Sequence, residues 1–388
     1  MKEIKQYDSS RNANRPAGIL SATTRLGCEL SAALLADDGE GSFAGERGHG
    51  LVISPASITL ALALLAGGVK DEQRQKDFYA RLGAGSAEEL QSALSWLLEL
   101  FRNEKESIIT GGSAFYSDRS FNMSPTYLRH LDLFHATFNG QHEKLIDAVE
   151  EINAWVCTQT RGMIPKLVDE LMLKAAHIVI LNALSFKGTW ETQFDAKNTL
   201  EKHPFTLGNG QKCTVPMMMR YSAAVRSFKG KGYTAACLPY KSTPSSSSST
   251  FFVGYLPDIG STVRNVLECL PDSSGKLRET TYSRFGLPRF EIETSQALLS
   301  LLHKLEYPVL GDFSGMGGPG PNLVAEVWHK AKIKVDEEGT RAAAATAIGM
   351  TRGGGPPKKR PDLIFDRPFV FQIVNNVGLV LFAGVFSP

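Results

Sequence analysis

The order of the hydrophobic patterns along the chain is the feature that most constrains its fold. In the N-terminal part, apolar side chains recur at helical spacing in the segments 16–36, 71–83, 86–104, 124–138 and 147–160. The later part changes to short β-rich runs, such as AHIVILNALSF at 176–186 and AACLPY at 235–240. Helices that precede strands, without βαβ alternation, predict an α+β fold with a largely antiparallel sheet.

The segment SPASITLALALLAGG at 54–68 predicts a helix in the centre of the protein. Ser54 is a typical N-cap, Pro55 stands at the first helical position, and the run up to Ala66 is nearly all apolar. A helix without a polar face has to be buried on most sides.

The composition is that of an ordinary folded protein. Of the 388 residues, 43% are hydrophobic, which is enough for a sizeable core. The 42 basic and 40 acidic residues are interspersed and give a formal net charge of +2, so no global field favours nucleic acid or an anionic membrane. We find no internal repeat and no linker, and we interpret 1–388 as a single domain with a polar N-terminal tail at 1–16. The serine run at 242–250 is interpreted as a surface insertion in a hairpin connection.

The N-terminal thirty residues and the cysteines predict an intracellular, cytoplasmic protein. Charged and polar residues stand where a signal peptide would have its apolar segment. The cysteines are odd in number and widely spaced, which indicates reduced thiols; they are Cys28, Cys157, Cys213, Cys237 and Cys269. The sequon Asn122-Met123-Ser124 is followed by Pro125 and adds little to the opposite view. A signal peptide ahead of this sequence would make the protein extracellular instead.

Motifs for catalysis or metal binding are missing from the sequence. The eight histidines show no HExxH spacing, and neither a GxSxG elbow nor a P-loop occurs. The stretch GMGGPG at 315–320 matches GxGxxG, but it follows GDFS rather than a buried strand, which indicates a loop. We therefore expect that the protein is not an enzyme and holds no cofactor or metal.

Several stretches, taken together, resemble the serpin family of protease inhibitors. They occur in the family's order and approximate spacing, and they are ISPASI at 53–58, NALSFKGTWETQFD at 182–195, VPMM at 215–218, LPRFEIE at 287–293, AEVWHKAKIKVDEEGT at 325–340 and DRPFVFQI at 366–373. The resemblance covers the chain from about residue 17 to its end. It implies three β-sheets, about nine helices and an exposed reactive-centre loop.

The resemblance places the hinge and reactive-centre loop at 335–365. Its hinge comprises Glu337, Glu338, Gly339, Thr340, Arg341, Ala342, Ala343, Ala344, Ala345 and Thr346. In the family, a protease cuts this loop, which then enters the main sheet as an extra strand.

The loop sequence is compatible with burial as a strand. Alternate residues from Thr340 to Met350 are small or apolar and carry no charge, and no proline occurs between Glu337 and Gly355. The family usually has glutamate after the hinge threonine, whereas this chain has Arg341, whose side chain falls on the opposite, solvent-facing side. A strand from Thr340 to Thr351 would be roughly 40 Å long.

The reactive bond follows from the family spacing and from the chemistry of the side chains. Counting from Glu337 gives Gly353–Gly354, and a spacing shorter by one residue gives Arg352–Gly353. Arginine fills an acidic primary pocket, whereas glycine offers no side chain, so we predict cleavage at Arg352–Gly353. Further runner-up sites are the bond Met350–Thr351 and the cluster Lys358-Lys359-Arg360, although Pro361 disfavours cleavage after Arg360. The implied partner is a trypsin-like serine protease or an Arg-specific cysteine protease, held in a covalent complex by a monomeric inhibitor. The alternative is a non-inhibitory binding protein or chaperone on the same fold.

The resemblance also assigns structural roles to polar residues beneath the main sheet. Ser54, Ser57, Asn182 and His329 match the polar shutter, and Trp190 matches the breach where insertion begins. The basic cluster Lys358, Lys359 and Arg360 has three interpretations: a protease exosite, a nuclear-localisation or polyanion patch, or a solvated loop. Nucleic-acid or polyanion binding is the least favoured, and no membrane partner is expected.

Overall fold

The computed structural model describes residues 17–37, 50–102, 109–174, 176–241, 249–271, 276–318, 326–339 and 360–388. Within these ranges it contains nine α-helices: α1 (Ala17–Asp37), α2 (Pro55–Ala66), α3 (Glu72–Arg81), α4 (Ala87–Arg102), α5 (Pro125–Leu133), α6 (Val149–Gln159), α7 (Glu170–Leu173), α8 (Val263–Cys269) and α9 (Leu299–Lys304). The helices that the periodic segments predict are present. The helix predicted over 124–138 is too long, because His135 adopts a left-handed φ of 50° and the chain then enters a strand.

Helix α2 is the central helix that its sequence predicts. All twelve of its residues are buried, and the Ser54 hydroxyl caps it by accepting a hydrogen bond from the Ser57 backbone N–H at 3.3 Å. Helix α1 is long and apolar enough to cross a membrane, but 61% of its apolar window is buried inside the protein. It packs against α2, α8 and the strand Val380–Phe386, as a core helix does.

A five-stranded sheet carries the candidate site. Its strands, in spatial order, are β10 (Phe290–Ala297), β11 (Glu326–Val335), β4 (Ile178–Phe186), β2 (Ile109–Ser117) and β3 (Thr137–Asn139). The pairs β10–β11 and β2–β4 are antiparallel, whereas β11–β4 and β2–β3 are parallel. The sequence pattern does not predict β2, because Gly111 and Gly112 weaken its strand signal.

The other strands form a nine-stranded network. They are β1 (Leu51–Ile53), β5 (Leu200–Thr206), β6 (Lys212–Gly230), β7 (Tyr233–Pro239), β8 (Thr250–Pro257), β9 (Arg278–Pro288), β12 (Leu363–Ile364), β13 (Phe369–Asn375) and β14 (Val380–Phe386). Strand β6 pairs with β5 near its start, through 212–217, and with β7 at its end, through 226–230. Two of the three predicted sheets are therefore joined into one network by a single long strand. The antiparallel pairing of β7 with β8 fits the predicted hairpin, whose residues 242–248 lie outside the described ranges.

Candidate functional site

The junction between β4 and β11, here called the seam, is the centre of the five-stranded sheet. The two strands pair in parallel from Glu326 opposite Val179 to Ile333 opposite Phe186. Strand β11 then continues into the hinge. A chain that leaves the end of β11 and turns back would run antiparallel to β11, and therefore also antiparallel to β4. The seam is thus a position where one more strand fits with antiparallel pairing on both sides.

A buried polar network lies beneath the seam. The Ser57 hydroxyl donates to Asn182 Oδ1, and Asn182 Nδ2 donates to the Ser57 carbonyl at 2.9 Å and to Ser113 Oγ at 3.0 Å. His329 Nδ1 lies 3.2 Å from Asn182 Oδ1, and the Ser54 backbone N–H donates to His329 Nε2 at 3.0 Å. The structure therefore brings together the four residues that the resemblance assigns to the shutter. Ser113 is an additional member that no sequence signal indicated, since only its pairing opposite Asn182 reveals it.

The protonation state of His329 follows from its two partners. Because Nε2 accepts a hydrogen bond from Ser54, the proton of the neutral ring is on Nδ1, which donates to Asn182 Oδ1. Complete burial lowers the pKa of His329 to about 3, since the charged ring would lose its hydration. The imidazole is therefore neutral at physiological pH and can satisfy both partners.

Trp190 closes the end of the seam at which both β4 and β11 terminate. It lies shortly after β4, and its ring stacks on Tyr240 with a centroid separation of 4.4 Å. Its indole Nε1 donates to the Asp336 carbonyl at 2.8 Å, and its backbone N–H donates to the Glu338 carbonyl at 3.2 Å. The segment after β4 is thereby fastened to the segment after β11, so this end has to open before any strand can enter.

Glu337 anchors the hinge through its side chain. The residue is buried, and its carboxylate accepts hydrogen bonds from Thr199 Oγ1 at 2.7 Å and from Arg289 Nη1 at 3.1 Å. Its carbonyl accepts from the Phe194 backbone N–H at 2.9 Å. Thr199 and Arg289 were not indicated by the sequence, because they meet Glu337 only through the fold.

Gly339 adopts a conformation that favours glycine. Its φ is +84°, and a Cβ at this position would lie 2.2 Å from the Trp190 nitrogen and 2.6 Å from the Gly188 carbonyl oxygen. The described hinge thus ends in a tight turn that lies against the Trp190 segment.

The remaining predicted loop residues lie outside the described ranges. These are Thr340, Arg341, Ala342, Ala343, Ala344, Ala345, Thr346, Met350, Thr351, Arg352, Gly353, Gly354, Lys358 and Lys359. Arg360, at the start of the next described range, is exposed. Among the residues that the structure describes, no cluster of three or more His, Cys, Asp or Glu could hold a metal ion.

Comparison with known proteins identifies the class to which this fold belongs. The solved structure of Arabidopsis AtSerpin1 in its native stressed conformation superposes with a TM-score of 0.80 at 22% identity, covering 96% of this chain and 98% of that one. Residues 25–388 match the family model of Serpin (serine protease inhibitor). The fold prediction is therefore confirmed.

Two curated relatives match at the level of sequence. Putative serpin-Z12 of Oryza sativa subsp. japonica is 31% identical over 383 residues, covering 88% of this chain and 85% of the relative. Serpin-Z1 of Arabidopsis thaliana is 28% identical over 362 residues, covering 87% and 89%. The chain belongs to the serpin family, whose members are generally protease inhibitors rather than enzymes.

Proposed function

We propose that the protein is a suicide-substrate inhibitor of trypsin-like serine proteases or Arg-specific cysteine proteases. The observation that carries the proposal is the parallel seam with the hinge at the end of β11. The protease nucleophile attacks the Arg352 carbonyl carbon and loses its proton, the Arg352–Gly353 bond breaks, and that proton is transferred to the Gly353 nitrogen, which leaves as a free amine. The cleaved segment, with the protease attached as an ester or thioester, then enters the seam before water hydrolyses the acyl-enzyme.

Strand pairing supports insertion at the seam. Eight residue pairs, from Glu326–Val179 to Ile333–Phe186, are now held by one parallel ladder. An inserted strand replaces this ladder by two antiparallel ones, which are slightly more stable per residue. The uncharged inward face that begins at Thr340 suits such a position.

Packing on one face of the sheet also supports the opening of the seam. A second hydrophobic cluster packs α6 on β2 and β4, and it includes Val179, Leu181 and Ala183. Among the described residues, β11 adds to this cluster only the half-buried Trp328. Beside it, Lys330 Nζ donates to the Lys166 carbonyl at 2.7 Å. Few contacts on this face therefore have to break when β11 moves away from β4.

The polar network supplies a barrier that keeps the seam closed before cleavage. The hydrogen bond from His329 Nδ1 to Asn182 Oδ1 crosses the seam, and α2 holds the two sides through Ser54 and Ser57. Parting the strands breaks buried hydrogen bonds, each of which costs about 1–3 kcal/mol if its groups stay unpaired. Hydroxyl, amide and imidazole groups can afterwards exchange partners around a new strand.

The test is incubation with trypsin, followed by denaturing electrophoresis and mass spectrometry of the released peptide. We expect a denaturation-resistant complex and cleavage after Arg352, and an Arg352→Ala variant should lose this complex. Complete cleavage after Arg352 without a complex would contradict inhibition and favour the alternative of a non-inhibitory binding protein.

An intracellular site of action and an exosite role for Lys358, Lys359 and Arg360 stay predictions.

A further inference from the structure

Arg220 of β6 lies beside the hinge. Its guanidinium carbon is 3.9 Å from the centre of the Phe194 ring, and its Nη2 donates to the Thr192 carbonyl. Phe194 also donates its backbone N–H to the Glu337 carbonyl at 2.9 Å. A single side chain therefore separates the guanidinium from the hinge that carries the reactive-centre loop.

Arg220 differs from the neighbouring arginines because no carboxylate of the described residues pairs with it. Arg289 pairs with Glu201 at 2.9 Å and with Glu337 at 3.1 Å, and Arg284 pairs with Asp362 at 2.6 Å. Within the described parts of the chain, Arg220 forms no ion pair, and its Nε is buried without an acceptor.

Burial affects the charge of Arg220 without removing it. Partial dehydration lowers the pKa of the guanidinium to about 10, and no carboxylate in the described part of the chain offsets this effect. The group stays charged at neutral pH, and a charge-assisted hydrogen bond to a carboxylate would offset the cost of its dehydration.

The sequence that follows the hinge does not offer that carboxylate. The sequence from Thr340 to Lys359 contains no aspartate or glutamate. Two hinge acids are already paired, Asp336 with Lys334 at 3.4 Å and Glu337 with Arg289 at 3.1 Å. Among the residues that the structure describes, Arg220 therefore has no carboxylate in contact, and its charge is available to an acidic group of a partner.

We propose that Arg220 binds a carboxylate on the surface of the target protease, beside the cleft that takes up the reactive-centre loop. The position supports this partner, because Arg220 lies over the ring of Phe194, whose backbone N–H is bonded to Glu337 of the hinge. Arg220 would then select, among Arg-specific proteases, those with an acidic rim, and it would speed their association by electrostatic attraction. This inference rests on the proposed function.

The test measures the encounter complex without trapping. Wild type, Arg220→Gln and Arg284→Gln are titrated against trypsin whose catalytic serine is replaced by alanine, at 50 mM and 500 mM NaCl. Both substitutions remove one positive charge on adjacent strands, but Arg284 already has Asp362 as its partner. We expect Arg220→Gln to weaken binding by about tenfold at low salt and far less at high salt, and Arg284→Gln to bind within about twofold of wild type.

Equal affinities of wild type and Arg220→Gln at both salt concentrations would overturn the inference. A second result would also overturn it: sulfate raises the melting temperature of wild type but not of Arg220→Gln, while both proteins bind inactive trypsin with equal affinity. Arg220 would then be a site for small anions. If Arg220→Gln does not fold, Arg220→Lys takes its place, and a loss of about threefold is expected because lysine cannot form the bidentate contact.

The two proposals fail in different ways. Arg220-dependent binding to inactive trypsin, without a covalent complex with active trypsin, would overturn the proposed inhibitory function and leave this inference standing. A covalent complex with active trypsin, together with binding that does not depend on Arg220, would support the inhibitory function and overturn this inference. No binding of wild type to inactive trypsin, and no complex with the active enzyme, would overturn both.

Discussion

At the scale of single residues, His329 couples the stability of the closed sheet to pH. Burial lowers its pKa from the ordinary 6.5 to about 3. Between these two pH values the unfolded chain binds a proton that the native protein does not. The contribution of neutral His329 to the free energy of unfolding is therefore complete above pH 6.5. It falls as the pH decreases from 6.5 towards 3, with a slope of up to about 1.4 kcal/mol per pH unit.

This pH dependence is measured by urea unfolding of wild type and His329→Gln between pH 4.5 and 7.5. Glutamine can donate and accept hydrogen bonds but does not titrate. We expect the free energy of unfolding to decline more steeply in wild type on acidification, because other titrating groups affect both proteins equally. Parallel curves would show that His329 is not buried as a neutral ring.

The family resemblance indicated part of this network. Ser54, Ser57, Asn182 and His329 were assignable from motif resemblance, and the structure places all four within one set of hydrogen bonds. Ser113 could not be assigned in this way, because a serine in a glycine-rich stretch carries no signal until β2 is paired with β4.

At the scale of elements, alternation along the inserted strand determines which positions tolerate a charge. Thr340 falls on the inward face of such a strand, whereas Ala343 falls on the outward face. We expect Thr340→Arg to bury a charge, slow insertion and convert the inhibitor into a substrate, with a loss of covalent complex of at least about tenfold. Ala343→Arg introduces the same charge and should keep at least half of the complex.

The measurement is the number of inhibitor molecules consumed per trypsin molecule inactivated. A high value for Thr340→Arg and a value near that of wild type for Ala343→Arg would support insertion with this register. If both variants behave alike, the alternation of faces does not govern trapping, and the seam is not the site of insertion.

At the scale of the whole molecule, cleavage of the loop should stabilise the protein rather than loosen it. In the proposed mechanism, the cut segment adds a strand at the seam, where β4 and β11 are now paired directly. We expect the melting temperature to rise by more than about 10 °C after cleavage at the reactive bond, which for a chain of this length corresponds to several kcal/mol. Differential scanning calorimetry before and after cleavage measures the change.

The cleaved Thr340→Arg variant serves as the control, because it contains the same cut but resists insertion. A rise of equal size in that variant would point to a cause other than the new strand. An unchanged or lower melting temperature in cleaved wild type would contradict insertion altogether.

The single-domain interpretation of 1–388 stays a prediction.

The sequence by itself determined the features that depend on near neighbours in the chain. The helical periodicities, the Ser54 cap, the buried helix α2 and the uncharged alternate face of the loop are all of this kind, because 3.6-residue and two-residue periods are local. The family resemblance supplied the expected sheets and loop, since its motifs are contiguous.

Only the tertiary structure decided which distant residues meet. The parallel register of 326–333 with 179–186, the Arg289–Glu337 contact and the place of Ser113 join segments separated by dozens of residues or more. The same holds for Arg220, whose missing carboxylate is visible only once its neighbours are known. Such contacts depend on strand pairing and packing across the whole chain, which no local pattern encodes.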